Sequence, residues 1–162
     1  MVLATRREGI AATHPAFIAC TWFGSGLLPG APGTWGSLAA LPFAWVLAVW
    51  AGPWAVTAAA VLCFLGGWWA SAVYVRLTGV ADPQEIVIDE VAGQWLVLVL
   101  VPPDPVLYAA GFVVFRILDI WKPFPAGWAD RHIEGGLGVM TDDALAALYG
   151  TAVMAGAAHF WG

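Results

Sequence analysis

Long apolar runs separated by short polar or proline-rich breaks form the dominant pattern of this chain. Five such runs predict helices, at roughly residues 36–51, 54–75, 83–101, 106–122 and 141–161. A bilayer core needs about 20 helical residues. The first run is short for that length, so it is expected to tilt, to re-enter or to lie partly at the interface. The pattern indicates an all-α, polytopic helical membrane protein with about five membrane-associated helices and cytoplasmic glycine-rich loops.

Composition strengthens this interpretation. The chain is 61% hydrophobic and 10% charged, and its mean hydropathy is +0.80. Soluble domains average about 45–50% apolar and about 25% charged residues. A soluble enzyme and a disordered tail are therefore poor hypotheses. The net charge of −5 leaves no basic stripe for nucleic acid. A chain of 162 residues suits one domain, 1–162.

The basic residues predict an orientation. Threading the runs as alternating crossings from an inside N-terminus places every Lys and Arg on one side. These residues are Arg6, Arg7, Arg76, Arg116, Lys122 and Arg131. The positive-inside rule makes that side the cytoplasm.

Several charged residues fall inside or at the start of the apolar runs. An ionised side chain at the middle of a membrane helix costs about 2.5–3.5 kcal/mol, so such residues usually face a polar cavity. Counted from the outer helix ends at about 1.5 Å per residue, Asp89 and Asp119 reach similar heights. Five carboxylates are expected at one level: Asp89, Glu90, Asp119, Asp142 and Asp143.

Crowded carboxylates favour a bound cation. Two such charges about 4 Å apart repel by about 4 kcal/mol at an effective dielectric near 20. Mg²⁺ takes oxygen ligands and keeps positions open for water and phosphate oxygens. The alternative is structural: Arg116 and Asp119, spaced i and i+3, can form a plain ion pair. Likewise, Asp142 and Asp143 can serve as acids favoured at a helix start, where Thr141 is the predicted N-cap.

One glycine-rich stretch, 24–37, leads into the first predicted helix, and a second, 134–138, lies between the fourth and the fifth. Their backbone amides could turn toward an anion, and Thr34 would add a hydroxyl. No GKS or GKT closes the first stretch, so it is not a Walker loop. A plain re-entrant connection for the first stretch and a hinge for the second are equally compatible with composition.

At these positions the sequence resembles the phosphatidylglycerophosphatase A family of bacterial membrane lipid phosphatases. Three segments carry the resemblance: GSGLLPGAPGTWGSLAALP (24–42), IVIDEVAGQW (86–95) and FRILDIWKPFPAGWADRHIEGGLGVMTDDALAALYG (115–150). The resemblance implies Mg²⁺-dependent conversion of phosphatidylglycerophosphate to phosphatidylglycerol and phosphate. It also implies a multi-pass protein of the bacterial inner membrane whose active site faces the cytoplasm and takes a phospholipid from the bilayer.

The resemblance also implies residue roles. The family's acidic, catalytic and metal-binding positions fall on Asp89, Glu90, Asp119, Asp142 and Asp143. Its phosphate-binding positions fall on Thr34, Arg116, Lys122 and Arg131. Many relatives have a basic or imidazole residue where this chain has Glu134. If the residue at that position donates a proton in the family, His132 could take over the role here.

The sequence leaves two candidates for the nucleophile, a water molecule and an aspartate. Water at the metal, activated by Asp89 or Glu90, is preferred over a phosphorylated aspartate. A small transporter or channel that uses intramembrane carboxylates is the alternative function.

Overall fold

The computed structural model describes residues 9–161, and in that range the chain is helical with no strand. Seven α-helices follow one another: α1 (Pro15–Cys20), α2 (Pro32–Ala51), α3 (Pro53–Thr78), α4 (Ile88–Leu98), α5 (Pro105–Trp121), α6 (Ala126–His132) and α7 (Gly135–Trp161). A short 3-10 turn, Ser25–Leu27, lies between α1 and α2. The predicted all-α class is confirmed. Arg6 and Arg7, used in the predicted orientation, lie outside the described residues.

Proline marks the start of three long helices, of which α3 and α5 begin within one residue of the prediction and α2 begins four residues earlier. Proline occupies the first turn of α2, α3 and α5, where its missing N–H has no intrahelical partner to lose. Gly52, at a φ of 79°, separates α2 from α3. The Asp104 side chain caps α5 by accepting hydrogen bonds from the Val106 and Leu107 amides at 2.8 and 3.0 Å.

In the described part of the chain, three helices are long and apolar enough to cross a membrane: α2 with 20 residues, α3 with 26 and α7 with 27. In contrast, α4 has 11 residues and α5 has 17. At about 1.5 Å per residue, α4 is only about 16 Å long, well short of a bilayer core of about 30 Å. The predicted count of about five membrane-associated helices is therefore approximate.

Helix α4 forms the centre of the bundle. It packs against α2, α3, α5 and α7, and those four helices also contact one another in a closed ring around it. Eight of its 11 residues are buried. The third apolar run thus faces protein on all sides, and its charged start is enclosed by other helices instead of lipid.

Two predicted helix starts and two predicted loops are wrong. The third helix begins at Ile88 and not at Pro83. The fifth begins at Gly135, so Thr141 is not an N-cap: its hydroxyl donates to the Leu137 carbonyl within α7 at 2.6 Å. Asp142 and Asp143 consequently lie about two turns inside α7. The stretch 134–138 is mostly the first turn of this helix, and 32–37 is the first part of α2.

Close packing of α7 on α3 depends on a glycine. A Cβ atom added to Gly136 would lie 2.7 Å from the Trp68 carbonyl oxygen and 2.8 Å from the Ala72 Cα. Backbone cannot move away as a flexible side chain can, so the two helices would have to separate.

Gly136→Ala is therefore expected to destabilise the protein by about 2–3 kcal/mol, as overpacking does. Gly156, in the same helix, has no atom within 4 Å of an added Cβ. Gly156→Ala should stabilise by up to about 1 kcal/mol through helix propensity alone. Thermal unfolding of both variants in one detergent checks the pair; a Gly136→Ala variant as stable as Gly156→Ala would contradict the close approach.

Candidate active site

A polar cleft of about 1000 Å³ opens at one end of the bundle. Helices α2, α4 and α7 begin there, and α3 and α5 end there, so the ends of five helices supply its walls. Eight carboxylates line it: Asp82, Asp89, Glu90, Asp119, Asp130, Glu134, Asp142 and Asp143. Among residues 9–161, the only Lys or Arg in its lining are Arg116 and Lys122. The cleft of the described chain therefore carries a large excess of negative charge.

Three carboxylates form the closest group. One oxygen each of Asp89, Glu90 and Asp143 lies within 4.8 Å of the other two. Asp119 and Asp142 are close enough to Asp143 to interact with it electrostatically. The five acids that the sequence predicted at one level are thus together, from α4, α5 and α7.

Four oxygens of these acids are buried without a hydrogen-bond partner in the described part of the chain. They are Asp89 Oδ1, Glu90 Oε2, Asp142 Oδ1 and Asp143 Oδ2. Buried polar atoms in native proteins almost always have a partner. A group of orphaned carboxylate oxygens therefore needs either protons or a cation.

Glycines allow the helices to close around this group. A Cβ atom on Gly33, in the first turn of α2, would overlap Glu90 Oε1 and lie 3.1 Å from Arg116 Nη1. On α4, one turn beyond Asp89, a Cβ on Gly93 would lie 2.5 Å from the Phe115 ring of α5. A side chain at position 33 would displace the Glu90 carboxylate, and one at position 93 would displace the buried Phe115 ring.

Arg116 links the acids of α4 and α5. Its Nη1 donates to Asp119 Oδ2 at 2.5 Å and lies 3.8 Å from Glu90 Oε1. The three side chains are only 10–16% exposed. The predicted i, i+3 pair with Asp119 is confirmed, and the buried Arg116 Nε has no partner among the described residues. Arg116 thus brings a buried donor without a described acceptor to the wall of the cleft.

Lys122 lies between two carboxylates at the mouth of the cleft. Its Nζ donates to Asp130 Oδ1 at 2.7 Å and also to Asp142 Oδ2. The hydrogen bond from Lys122 lowers the pKa of Asp130 below its usual value. Lys122 follows the last residue of α5 and has a φ of 48°, in the left-handed region.

Sequence reasoning missed Asp130 although the signal was present. It lies eight residues after Lys122, within the segment that carries the family resemblance and directly before Arg131, but it was given no role. On the short helix α6, Asp130 lines the cleft while Arg131 is exposed outside it.

The other predicted residues divide between the rim and the outside of the cleft. Thr34, half-buried in the first turn of α2, does not line the cleft. His132 is exposed, and its ring stacks on Trp128 at 5.0 Å. Glu134 is exposed at the rim. The phosphate-binding roles of Thr34 and Arg131 stay predictions.

Three long apolar helices and a carboxylate-rich cleft at one end define a helical membrane protein with a polar site at the edge of its apolar core. A model of the phosphatidylglycerophosphatase A family matches residues 18–158. The chain therefore belongs to the phosphatidylglycerophosphatase A family and is a phosphatase. All eight cleft carboxylates lie within the matched residues.

Individual relatives agree with this assignment. Phosphatidylglycerophosphatase A of Escherichia coli is 40% identical over 151 residues, covering 92% of this chain and 87% of the relative. The protein of the same name from Haemophilus influenzae is 38% identical over 153 residues, covering 94% and 93%. A protein from Bacteroides thetaiotaomicron, provisionally named a phosphatidylinositol-3-phosphatase, is 39% identical over 142 residues, covering 80% and 84%. No solved structure matches the chain.

Proposed function

We propose that this protein removes the terminal phosphate of phosphatidylglycerophosphate in a Mg²⁺-dependent reaction that yields phosphatidylglycerol and phosphate. The observation that carries the proposal is the set of orphaned, buried carboxylate oxygens facing one cleft that also holds Arg116 and Lys122. The names of the relatives supply the substrate. Family membership favours this phosphatase over a transporter or channel, the alternative that the intramembrane carboxylates left open.

The chemistry of the donor set fits magnesium. Asp89, Glu90 and Asp143 would hold the ion, with Asp119 and Asp142 beside them. These are hard oxygen ligands, which Mg²⁺ prefers, and the cleft leaves room for the water molecules that it keeps. When bound, the ion would neutralise charge on the phosphate oxygens and on the crowded acids.

The chain's own residues would bind and orient the phosphate. Arg116 offers a planar fork and an unpaired Nε, whereas Lys122 offers a point charge at the mouth. The start of α2 has no side-chain cap, so the amide of Gly33, which lines the cleft, would add the positive end of the helix dipole to the phosphate site.

Asp89 or Glu90 is the proposed proton acceptor for the attacking water. Both lie in the first turn of α4 at the floor of the cleft, next to the position of the phosphate. As the new bond from oxygen to phosphorus forms, the bond from phosphorus to the glycerol oxygen would break, and that oxygen would take up a proton from water in the cleft. A phosphorylated aspartate among the same acids is the competing route.

The location of the cleft suits a lipid substrate. Exposed aromatic side chains surround the α5–α6 connection: Trp121, Phe124 and Trp128. Such residues are typical of the membrane–water interface. The acyl chains could therefore stay in the bilayer while the headgroup enters the cleft.

The proposed location of the cleft is the cytoplasmic side of the bacterial inner membrane, and the distribution of charge supports it. Among the described residues, every Lys and Arg lies at the cleft end: Arg76 in the last turn of α3, Arg116, Lys122 and Arg131. Asp104 is at the opposite end, at the start of α5. This distribution supports the positive-inside orientation.

One phosphate-release assay tests both the Mg²⁺ dependence, by chelation, and the substrate, by comparison with other phosphate esters. Purified protein in mixed micelles should release phosphate from phosphatidylglycerophosphate, lose that activity by at least about 10³-fold with EDTA, and regain it with added Mg²⁺. Phosphatidylinositol 3-phosphate and glycerol 3-phosphate serve as lipid and soluble comparison substrates. Activity that survives chelation would overturn the Mg²⁺ dependence. Release from another lipid alone would overturn the substrate.

A further inference from the structure

Asp130 and Asp142 both accept a hydrogen bond from Lys122, but they differ in burial and so in their need for a counter-charge. Asp142 is buried, with a side chain 8% exposed, so it requires a counter-charge. Asp130 has a side chain 46% exposed and can be hydrated by water. Its contact with Lys122 is therefore not needed to compensate its own burial. The contact with Asp130 therefore matters mainly for where the Lys122 ammonium group lies.

Backbone geometry makes the Lys122 side chain dependent on an anchor. α5 ends at Trp121, and Pro123 prevents its continuation, so Lys122 turns out of the helix in a left-handed conformation. Its four-carbon stem is flexible, so the position of the ammonium group depends on the groups that bind it. With Asp142 as the only partner, the ammonium would be drawn inward, away from the mouth of the cleft.

Helix α6 provides a rigid support for Asp130. The Tyr149 hydroxyl of α7 donates to the Phe124 carbonyl at 2.7 Å, which ties the α5–α6 connection to the bundle. A Cβ on Gly127 would lie 2.6 Å from the Lys122 carbonyl oxygen, so α6 packs directly on the Lys122 backbone. Asp130 is thus fixed relative to the residue that it holds.

We propose that Asp130 is a positioning residue, which keeps the Lys122 ammonium at the cleft mouth, between Asp130 and Asp142, where it meets the phosphate of the substrate. This inference rests on the proposed function. Asp130 itself touches neither the reacting phosphorus nor the attacking water. Its loss should consequently weaken phosphate binding more than it slows the chemical step.

Asp130→Asn should raise KM about fivefold and leave kcat within about twofold, because a half-exposed ion pair contributes little more than that. The inhibition constant of inorganic phosphate should rise by the same factor. Asp130→Glu should restore both values to within about twofold of the wild type. Asp82→Asn, the same change at an exposed position of the same cleft, is the matched control and should leave KM unchanged.

A double-mutant cycle separates positioning from a structural role. In a Lys122→Met background, Asp130→Asn should have no further effect on KM, because the group that it positions is gone. An equal effect in both backgrounds, or a fall in kcat at constant KM, would overturn the proposal. Asp130→Ser repeats the cycle if Asp130→Asn does not fold, as judged by thermal unfolding.

Direct binding of inorganic phosphate keeps this test independent of the lipid substrate. Calorimetry on the wild type, both single variants and the double variant gives the same cycle without turnover. If the wild type fails to hydrolyse phosphatidylglycerophosphate, the proposed function fails, while the phosphate affinities still decide the role of Asp130. Equal phosphate affinity in the wild type and Asp130→Asn would reject the positioning role by itself.

Discussion

Asp143→Asn is expected to lower kcat/KM by about 10³-fold or more, since losing a ligand of a catalytic metal removes several kcal/mol of transition-state stabilisation. Asp143 is 3% exposed, and its carboxylate lies within 4.8 Å of the carboxylates of Asp89 and Glu90. Asparagine has the same shape but offers one neutral oxygen. Phosphate release from the lipid substrate measures the loss, and Asp89→Asn should behave in the same way.

The same variant, Asp143→Asn, should lose activity but not stability. Removing one of several crowded negative charges relieves repulsion, so Asp143→Asn should unfold at an equal or higher temperature than the wild type without metal. Added Mg²⁺ should raise the unfolding temperature of the wild type and have little effect on the variant. A variant that loses activity because it misfolds would instead unfold at a lower temperature.

The matched control is Glu134→Gln, the same kind of change at the exposed rim of the cleft. It should keep kcat/KM within about twofold, because a solvated charge at the rim has weak effects on the floor. If Asp143→Asn retained a tenth of the wild-type activity, or if Glu134→Gln were equally impaired, the acidic group around Asp143 would not be the metal site.

The hydrophobic pattern predicted the fold class and most helix positions, but not what each helix faces. Protein interior and lipid are both apolar, so the run 83–101 looked like a membrane crossing although α4 is enclosed by four helices. Its charged start at Asp89 and Glu90 was the available signal for a protein environment. Helix starts were wrong where a local capping preference, at Pro83 or Thr141, was overridden by tertiary packing.

The candidate site was more predictable on long helices than around short ones. Spacing along α5 predicted that Arg116 and Asp119 share a face, and their contact confirms it. Lys122 was predicted as the last residue of the fourth helix, but it lies beyond the end of α5 and reaches α6 and α7. No periodicity extends over the six residues 126–131 far enough to show that Asp130, and not Arg131, faces the cleft.

Arg116→Met should lower kcat/KM by about 10²–10³-fold, a size typical of removing one preorganised charge donor from a transition state. It should also destabilise the protein by about 3–5 kcal/mol, because Asp119 would be left buried without its partner. Arg116→Lys keeps the charge and loses the planar fork, so its activity should lie between those of the wild type and Arg116→Met. Phosphate release and thermal unfolding are measured on the same preparations.

The double variant Arg116→Met/Asp119→Asn decides between an ion pair that only holds the helices together and one that acts on the substrate. Neutralising both partners removes the uncompensated buried charge, so stability should return close to that of the wild type. Activity should stay at the level of Arg116→Met or below, since neither the fork for the phosphate nor the Asp119 carboxylate is restored. Recovery of activity together with stability would show that the pair is structural, and the cleft would then bind phosphate through Lys122 and the start of α2 alone.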